Sequence, residues 1–417
     1  MEQDIYQALK KYYGYESFRK GQEEVIREIL SGRPVLAVLP TGAGKSICFQ
    51  LPALMMEGLT LVVSPLISLM KDQAENLKRR EIPAAFLNSS LNNNEYGKIL
   101  YDALAGKYKF LYVSPERLSN ENFRRFAKQA KINFVAVDEA HCVSQWGRSL
   151  REEYYAIPSF LKILPTKPLV AAFTASAKEE VRRDICHRLG IVGAKTFVTG
   201  FDRPNLKFMV KKSLDKDRDA AEFLAQHKNA CGVIYCSTRS KVEEVNDFVN
   251  KLGYEARRYH AGLGPEERKK NQQAFLDGQC KIIVATNAFG MGIDKSDVRF
   301  VLHYNMPLDL ESYYQEAGRA GRDGKLSECL LLFDKEDVRI NTYLIEQGKK
   351  DAATIAHEKN LLRLMEGYAN SKTCLRKYML NYFGEQADET CGNCSNCRKN
   401  TSLWKKLIAG IKYIFGE

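Results

Sequence analysis

The sequence predicts an α/β protein: two parallel-sheet domains in tandem, then a small helix-rich domain carrying a cysteine cluster. Three observations lead there. Short apolar runs alternate with helical spacing through the first half of the chain, the same rhythm restarts between residues 231 and 333, and beyond about residue 336 strand-like runs cease. The first set of runs covers residues 35–39, 59–64, 110–114, 134–137 and 169–173, with helix-like spacing between them, as at residues 71–80. Continuous apolar runs, without alternation, mark strands buried on both faces, and strands alternating with helices imply a parallel sheet. The second set covers residues 231–236, 281–286, 299–304 and 328–333. The predicted domains are 1–204, 205–338 and 339–400, followed by a tail at 401–417, with the join near Phe201-Asp202-Arg203-Pro204-Asn205. In the tail Trp404, Leu407, Ile408, Ile411 and Ile414 fall at helical spacing among Lys405, Lys406 and Lys412, a basic amphipathic helix expected to dock on its own domain or on a partner.

With 417 residues, 45% of them apolar and 27% charged, the chain can build two or three cores. No stretch approaches the ~20 apolar residues that span a bilayer. Residues 1–6 show no basic lead before an apolar run. A cytoplasmic protein with no membrane partner is expected. Lys and Arg exceed Asp and Glu, 63 against 51, a net charge of +12. That surplus suits a polyanion, since each neutralised phosphate releases counterions, although a solvated basic surface has the same charge. Seven of the 11 cysteines (Cys48, Cys142, Cys186, Cys231, Cys236, Cys280 and Cys329) stand singly, mostly beside apolar residues, and read as reduced buried thiols.

Residues Leu39-Pro40-Thr41-Gly42-Ala43-Gly44-Lys45-Ser46 follow a predicted strand and open a helix, the place for a phosphate-binding loop. Glycines turn backbone N–H groups toward phosphates, and the helix N-terminus adds positive potential. Lys45 would reach the β- and γ-phosphates and the Ser46 hydroxyl would bind Mg²⁺. The usual pattern has glycine where this chain has Leu39, so a second element is needed. Asp138-Glu139-Ala140-His141 supplies it at the end of the run 134–137. Asp138 can hold Mg²⁺ and Glu139 can orient and deprotonate the attacking water. An Asp-Glu pair after a strand is usually a solvated loop; paired with an upstream phosphate loop it reads as an NTPase.

Asp138 to His141, continuing as Cys142-Val143-Ser144-Gln145-Trp146-Gly147, resembles the RecQ subgroup of superfamily 2 helicases. The resemblance spans residues 4 to 400 and recurs in order. It includes Tyr13-Gly14-Tyr15-Glu16-Ser17-Phe18-Arg19-Lys20-Gly21-Gln22, Ser64-Pro65-Leu66-Ile67-Ser68-Leu69-Met70-Lys71-Asp72-Gln73, Phe173-Thr174-Ala175-Ser176-Ala177 and Tyr259-His260-Ala261-Gly262-Leu263. It closes on Gln315-Glu316-Ala317-Gly318-Arg319-Ala320-Gly321-Arg322-Asp323-Gly324. The resemblance implies two tandem RecA-like domains followed by a helical zinc-binding domain, with ATP, Mg²⁺ and Zn²⁺ as cofactors. The implied activity is an ATP-dependent DNA helicase or translocase running 3′ to 5′ on single-stranded DNA, in recombination and repair. Single-stranded and branched DNA would be its partners, with single-strand-binding protein or other repair proteins, and the chain would act as a monomer. Gln22 would read the adenine edge, Tyr15 would stack on the ring with Arg19 nearby, and Thr41, Gly42, Gly44 and His141 would complete the nucleotide contacts. Arg322 is the implied arginine finger and Arg319 its companion, guanidinium groups being suited to phosphoryl oxygens. DNA phosphates would meet residues 64–66, 114–117, 237–239 and Thr286.

The family pattern breaks after Gly147. Where relatives continue His-Asp-Phe-Arg-Pro, this chain has Arg148-Ser149-Leu150-Arg151-Glu152. In the family this loop, here Gln145, Trp146, Arg148 and Arg151, senses DNA and signals to the ATPase site. Losing the aromatic face and the imidazole implies weakened coupling, unless Arg148 and Trp146 rebuild the contact. The chain also ends 20 residues past Cys397, where relatives commonly continue into a winged helix and often a further helicase-and-RNase-D-like domain. It resembles a short form in which strong duplex unwinding is not expected. A DNA-binding ATP switch without productive unwinding, and an RNA helicase, are the competing readings.

Cys374, Cys391, Cys394 and Cys397 form the remaining cluster. Four thiolates with two-residue spacers suit a closed tetrahedral Zn²⁺ site of structural kind, and an iron–sulfur cluster has the same ligand count. The RecQ-like run Thr373-Cys374-Leu375-Arg376-Lys377 implies zinc.

Overall fold

The computed structural model describes residues 4–40, 42–65, 67–87, 91–144, 152–290, 295–347 and 351–398, with all their side chains except those of Ser68 and Glu152. The tail at 401–417 and the loop at 145–151 therefore lie outside the described residues. The chain divides into two compact units between Phe201 and Asp202.

The first unit is built on a seven-stranded sheet. Its strands are β1 (Val35–Val38), β2 (Leu59–Val63), β3 (Ala84–Leu87), β4 (Phe110–Val113), β5 (Ile132–Val137), β6 (Leu169–Thr174) and β7 (Lys195–Val198). They lie in the order β3-β4-β2-β5-β6-β1-β7, every neighbouring pair parallel. The second unit has a six-stranded sheet of β8 (Leu206–Lys212), β9 (Cys231–Tyr235), β10 (Ala256–Tyr259), β11 (Ile282–Ala285), β12 (Val298–His303) and β13 (Ser327–Phe333). Its order is β10-β11-β9-β12-β13-β8, again wholly parallel. Helices Lys335–Glu346, Ala352–Asn370 and Leu375–Tyr382 then lead to the cysteine cluster. The predicted class, two parallel-sheet α/β domains followed by a small helical one, is the one observed.

The apolar runs are central strands because helices cover both faces of each sheet. In β1, β2 and β4 every residue is buried. Phe49 of helix Lys45–Met55 packs on Phe173 of β6 at 5.3 Å between ring centroids, joining a cluster with Phe110, Tyr112 and Phe134. Burial of each such side chain stabilises by roughly 1.5–3 kcal/mol relative to exposure. In the second unit five helices carry their own start signals. Asp215, Thr238, Asp309, Asp334 and Asp351 each accept a backbone N–H of the helix that follows. Among the described residues no helix is long and apolar enough to cross a membrane. None of the 11 cysteines is in a disulfide; Cys48, Cys142, Cys236, Cys280 and Cys329 are buried, Cys186 and Cys231 partly so.

Candidate active site and thiolate centre

The site of the first unit lies at the C-terminal edges of β1, β6 and β5, three adjacent strands. Pairing continues one residue past β1, with Leu39 N–H donating to Thr174 O at 2.9 Å, and Leu39 is fully buried. A strand residue thus stands where the usual loop pattern has glycine. The turn follows at once: Gly42 and Gly44 adopt φ of 86° and 78°, where L-residues are strained. Gly44 is also the N-cap of helix Lys45–Met55 and offers no side-chain cap, which leaves the helix N–H groups open to an anion. A Cβ at Gly44 would sit 2.4 Å from Gln22 Nε2, so glycine is needed for close approach as well.

Lys45 brings the site together. Its Nζ lies 2.8 Å from Asp138 Oδ1 and 3.1 Å from Glu139 Oε1. Burial opposes the ammonium charge, but the two carboxylates outweigh it and hold the Lys45 pKa above its ordinary value. Burial pushes the Asp138 carboxyl upward against the pull of Lys45, with the Glu139 charge adding to the rise. Asp138 Oδ1 also accepts the Glu139 N–H at 2.9 Å, and the Asp138 carbonyl accepts the Tyr154 hydroxyl at 3.0 Å. Glu139 itself takes φ 47°, a left-handed conformation that turns the chain sharply after β5. His141 Nδ1 is 3.3 Å from Glu139 Oε2 and 2.9 Å from Thr174 Oγ1, so β6 supplies a hydroxyl that supports the histidine. Ser46 stands beside Lys45 on the first turn of the helix.

Gln22 is 2% exposed and wired into the loop. Its Nε2 donates to the carbonyls of Ala43 and Gly44, both at 3.0 Å, and its Oε1 accepts the Arg19 N–H at 2.8 Å. The Arg19 guanidinium in turn donates to Gly42 O, while Tyr15 is 49% exposed nearby in sequence. Gln22 and Arg19, two of the three predicted adenine-reading residues, and the predicted phosphate loop are thus one hydrogen-bonded body. Thr41 lies outside the described residues, as do Gln145, Trp146, Arg148 and Arg151. Sequence reasoning missed Thr174 and Tyr154. Thr174 lay inside a quoted motif at a strand end, a usable signal; Tyr154 carried none.

In the second unit Arg319 and Arg322 follow helix Leu310–Ala317. Arg319 is 7% exposed, its Nε has no partner, and its Nη2 packs so close to Gly290 that a Cβ there would lie 2.7 Å away. Of the segments expected to touch DNA, Ser64 and Ser114 end the neighbouring strands β2 and β4, linked by Ser64 N–H to Val113 O at 3.0 Å. Both hydroxyls are buried without a partner. Thr238 and Thr286 instead accept local N–H groups, those of Lys241 at 3.2 Å and Ala288 at 3.4 Å.

The Sγ atoms of Cys374, Cys391, Cys394 and Cys397 all lie within 4.8 Å of one another. Tetrahedral Zn²⁺ with bonds of about 2.3 Å separates its sulfurs by about 3.8 Å, so the four fit that ion. Backbone N–H groups support the sulfurs: Leu375 and Cys397 donate to Cys394 Sγ at 3.4 and 3.5 Å, and Cys394 donates to Cys391 Sγ at 3.3 Å. Against the effect of burial, the N–H groups of Asn393 and Cys394 bring the Cys391 thiol down to about 6, whereas burial takes Cys397 up to about 12.

Three families match along the chain in order: DEAD/DEAH box helicase at residues 19–184, helicase conserved C-terminal domain at 215–324 and RecQ zinc-binding at 335–398. The chain is 46% identical over 390 residues to the ATP-dependent DNA helicase RecQ of Bacillus subtilis, covering 93% of this chain and 66% of that protein. It therefore spans a little under two thirds of the length of that relative. With the ATP-dependent DNA helicase RecQ of Synechocystis it shares 42% identity over 364 residues, 84% of this chain and 76% of that one. Saccharomyces cerevisiae Dbp5 bound to RNA and ADP BeF3 shares the fold, with a TM-score of 0.65 at 18% identity over 85% of this chain and 97% of that one. Three matching domains in family order, and a 42% identical relative covered over 76% of its length, place this chain in the RecQ family of superfamily 2 helicases.

Proposed function

We propose that the chain is an ATP-dependent DNA helicase or translocase, moving 3′ to 5′ on single-stranded DNA in recombination and repair. The observation that carries this reading is the meeting of Lys45 with Asp138 and Glu139 at adjacent strand edges, beside an uncapped helix N-terminus. Lys45 and the loop N–H groups hold the β- and γ-phosphates. The Ser46 hydroxyl and Asp138 would hold Mg²⁺, which would neutralise phosphate charge. Glu139 orients a water for in-line attack and takes its proton, with His141 and Thr174 fixing the carboxylate. Arg322, with Arg319, stabilises the charge that passes to the leaving ADP. Gln22, Arg19 and Tyr15 select adenine, with Thr41 and Gly42 completing the phosphate turn. Residues 64–66, 114–117, 237–239 and Thr286 meet DNA phosphates, through backbone groups where the hydroxyls of Ser64 and Ser114 are buried.

The functional domains run 1–204, 205–338 and 339–400. The chain works as a monomer in the bacterial cytoplasm on branched DNA, alongside single-strand-binding and other repair proteins. The uncoupled ATP switch draws on the loop 147–152, and no placed side chain favours it. ATP turnover with and without single-stranded DNA, beside Lys45→Ala, tests the proposal. Strong stimulation by DNA but not by RNA, abolished in Lys45→Ala, is expected. Turnover that ignores DNA would replace the motor with the switch.

A further inference from the structure

We infer that residues 202–205 form a clamp that positions the loop carrying Arg319 and Arg322, and that Arg376 of the thiolate domain holds this clamp in place. The inference rests on the reading of those two arginines as the charge-stabilising groups of ATP hydrolysis.

Helix Leu310–Ala317 ends immediately before the loop, so the carbonyls that follow lack intrahelical donors. Arg203 takes three of them: Nη1 donates to Gly318 O at 3.2 Å, and Nη2 to Ala320 O at 2.9 Å and Gly321 O at 3.0 Å. Asn205 Nδ2 donates to Gly321 O at 2.8 Å and Lys325 O at 3.1 Å. Captured carbonyls thus flank Arg319 on both sides and bracket Arg322. An ordinary helix C-cap satisfies the last one or two carbonyls; this arrangement reaches 325, past the second arginine. Gly321, at φ 59°, shows how tightly the amide closes, since a Cβ there would lie 2.4 Å from Asn205 Nδ2 and 2.8 Å from Lys325 O.

The other side of the clamp is also gripped. Arg376, two residues after Cys374 and 8% exposed, pairs with Asp202 and donates to the carbonyls of Leu206 and, at 3.4 Å, Pro204. Its guanidinium lies over the Phe208 ring, 5.7 Å from the centroid. Asn205 is therefore fixed by carbonyl bonds on either side of it, through a residue rooted at the thiolate cluster. Loosening either end leaves the two arginines on the chain but frees the backbone that aims them, and small misplacement of a charge-stabilising group is costly in turnover.

The test uses the full chain and four variants: Arg322→Ala, Asn205→Ala, Arg376→Gln and the double variant Asn205→Ala with Arg322→Ala. Turnover, KM for ATP, affinity for fluorescent ADP and the unfolding midpoint are measured for each. Asn205→Ala and Arg376→Gln are each expected to lower kcat about ten-fold, with KM and ADP affinity within about two-fold of the parent. The unfolding midpoint is expected to fall modestly, because both side chains satisfy backbone carbonyls, so turnover is measured well below the midpoint of the least stable variant. The double variant should be no slower than Arg322→Ala alone, because both substitutions remove one function. Should Asn205→Ala fail to fold, Asn205→Asp, which keeps the shape and loses the donors, replaces it. Arg322→Ala losing turnover while the clamp variants keep it, or losses that multiply in the double variant, would overturn the clamp. Full turnover in Arg322→Ala would instead remove the arginine reading, and the clamp with it.

Discussion

Strand β1 of the first unit and strand β9 of the second each run into a turn and a helix at the C-terminal edge of a parallel sheet. After β1 the cap is Gly44, which leaves the first N–H groups of helix Lys45–Met55 open. After β9 the cap is Thr238, whose hydroxyl accepts the Lys241 N–H at 3.2 Å and fills that role itself. One side chain thus separates a helix end built for phosphate from a helix end already satisfied. The carboxylates divide in the same way. In the first unit they face Lys45, whereas Glu316, the buried carboxylate of the arginine motif, is engaged with His303 Nε2 at 3.0 Å. The sheet architecture occurs in both units, whereas the lysine–carboxylate cluster beside an open helix end occurs in the first.

The largest effect that tests this division is expected from Glu139→Gln. If the first unit separates holding ATP from reacting with it, removing the base should cost about 10²–10⁴ in kcat. Affinity for ATP, carried by Lys45 and the uncapped helix end, should remain within a few-fold in an equilibrium binding titration. A collapse of affinity together with turnover would mean that Glu139 holds the loop in place and that the separation is false.

What the sequence showed of the two sheets follows the same physical line. The strands legible as apolar runs (β1, β2, β4, β5, β6, β9, β11, β12 and β13) all have a neighbour on each side. The four unread strands, β3, β7, β8 and β10, are the four edges. Edge strands are wetted along one side, and their residues show it: Lys195-Thr196-Phe197-Val198 is mostly exposed, and Ala256-Arg257-Arg258-Tyr259 is buried fully only at Ala256. β3 is more buried, but Ala84-Ala85-Phe86-Leu87 is short and half alanine, a composition with little strand preference. At the site, the chemistry was legible where it is carried by residue type at fixed spacing, as in Lys45, Asp138 and the four cysteines. Support from distant positions, as Tyr154 gives to Asp138 and Arg203 to Gly318, leaves no local pattern to read.

The two units also differ in what holds them. The second includes a cluster of four thiols, whereas the described first unit rests on its apolar core. Cys394 is 1% exposed and accepts two backbone N–H groups, so Cys394→Ser should remove bound zinc and lower the unfolding midpoint of the second unit by several degrees or more. ADP affinity, a property of the first unit, should not change. Zinc content by metal analysis, followed with unfolding and ADP titration, checks this. Loss of ADP affinity in step with zinc would show that the units do not keep separate accounts of stability.

The smallest effect concerns the edge strand that the sequence did not reveal. Glu28, buried on helix Gln22–Leu30, binds Arg33 and reaches Lys195 at the start of β7 at 3.3 Å. The Arg33 hydrogen bonds, aided by Lys195, bring its carboxyl from 4.5 down to about 2. A carboxyl with a depressed folded-state pKa stabilises above its unfolded value, and the contribution disappears as pH falls through the folded one. Both cations are largely exposed, at 63% and 60%, so solvent screening keeps the gain modest. Glu28→Gln should therefore lower the unfolding midpoint slightly at neutral pH, with the difference from the parent closing between about pH 4.5 and pH 2. A difference that persists unchanged into acid would assign the loss to packing of the side chain, and would leave β7 held to its helix by shape and not by charge.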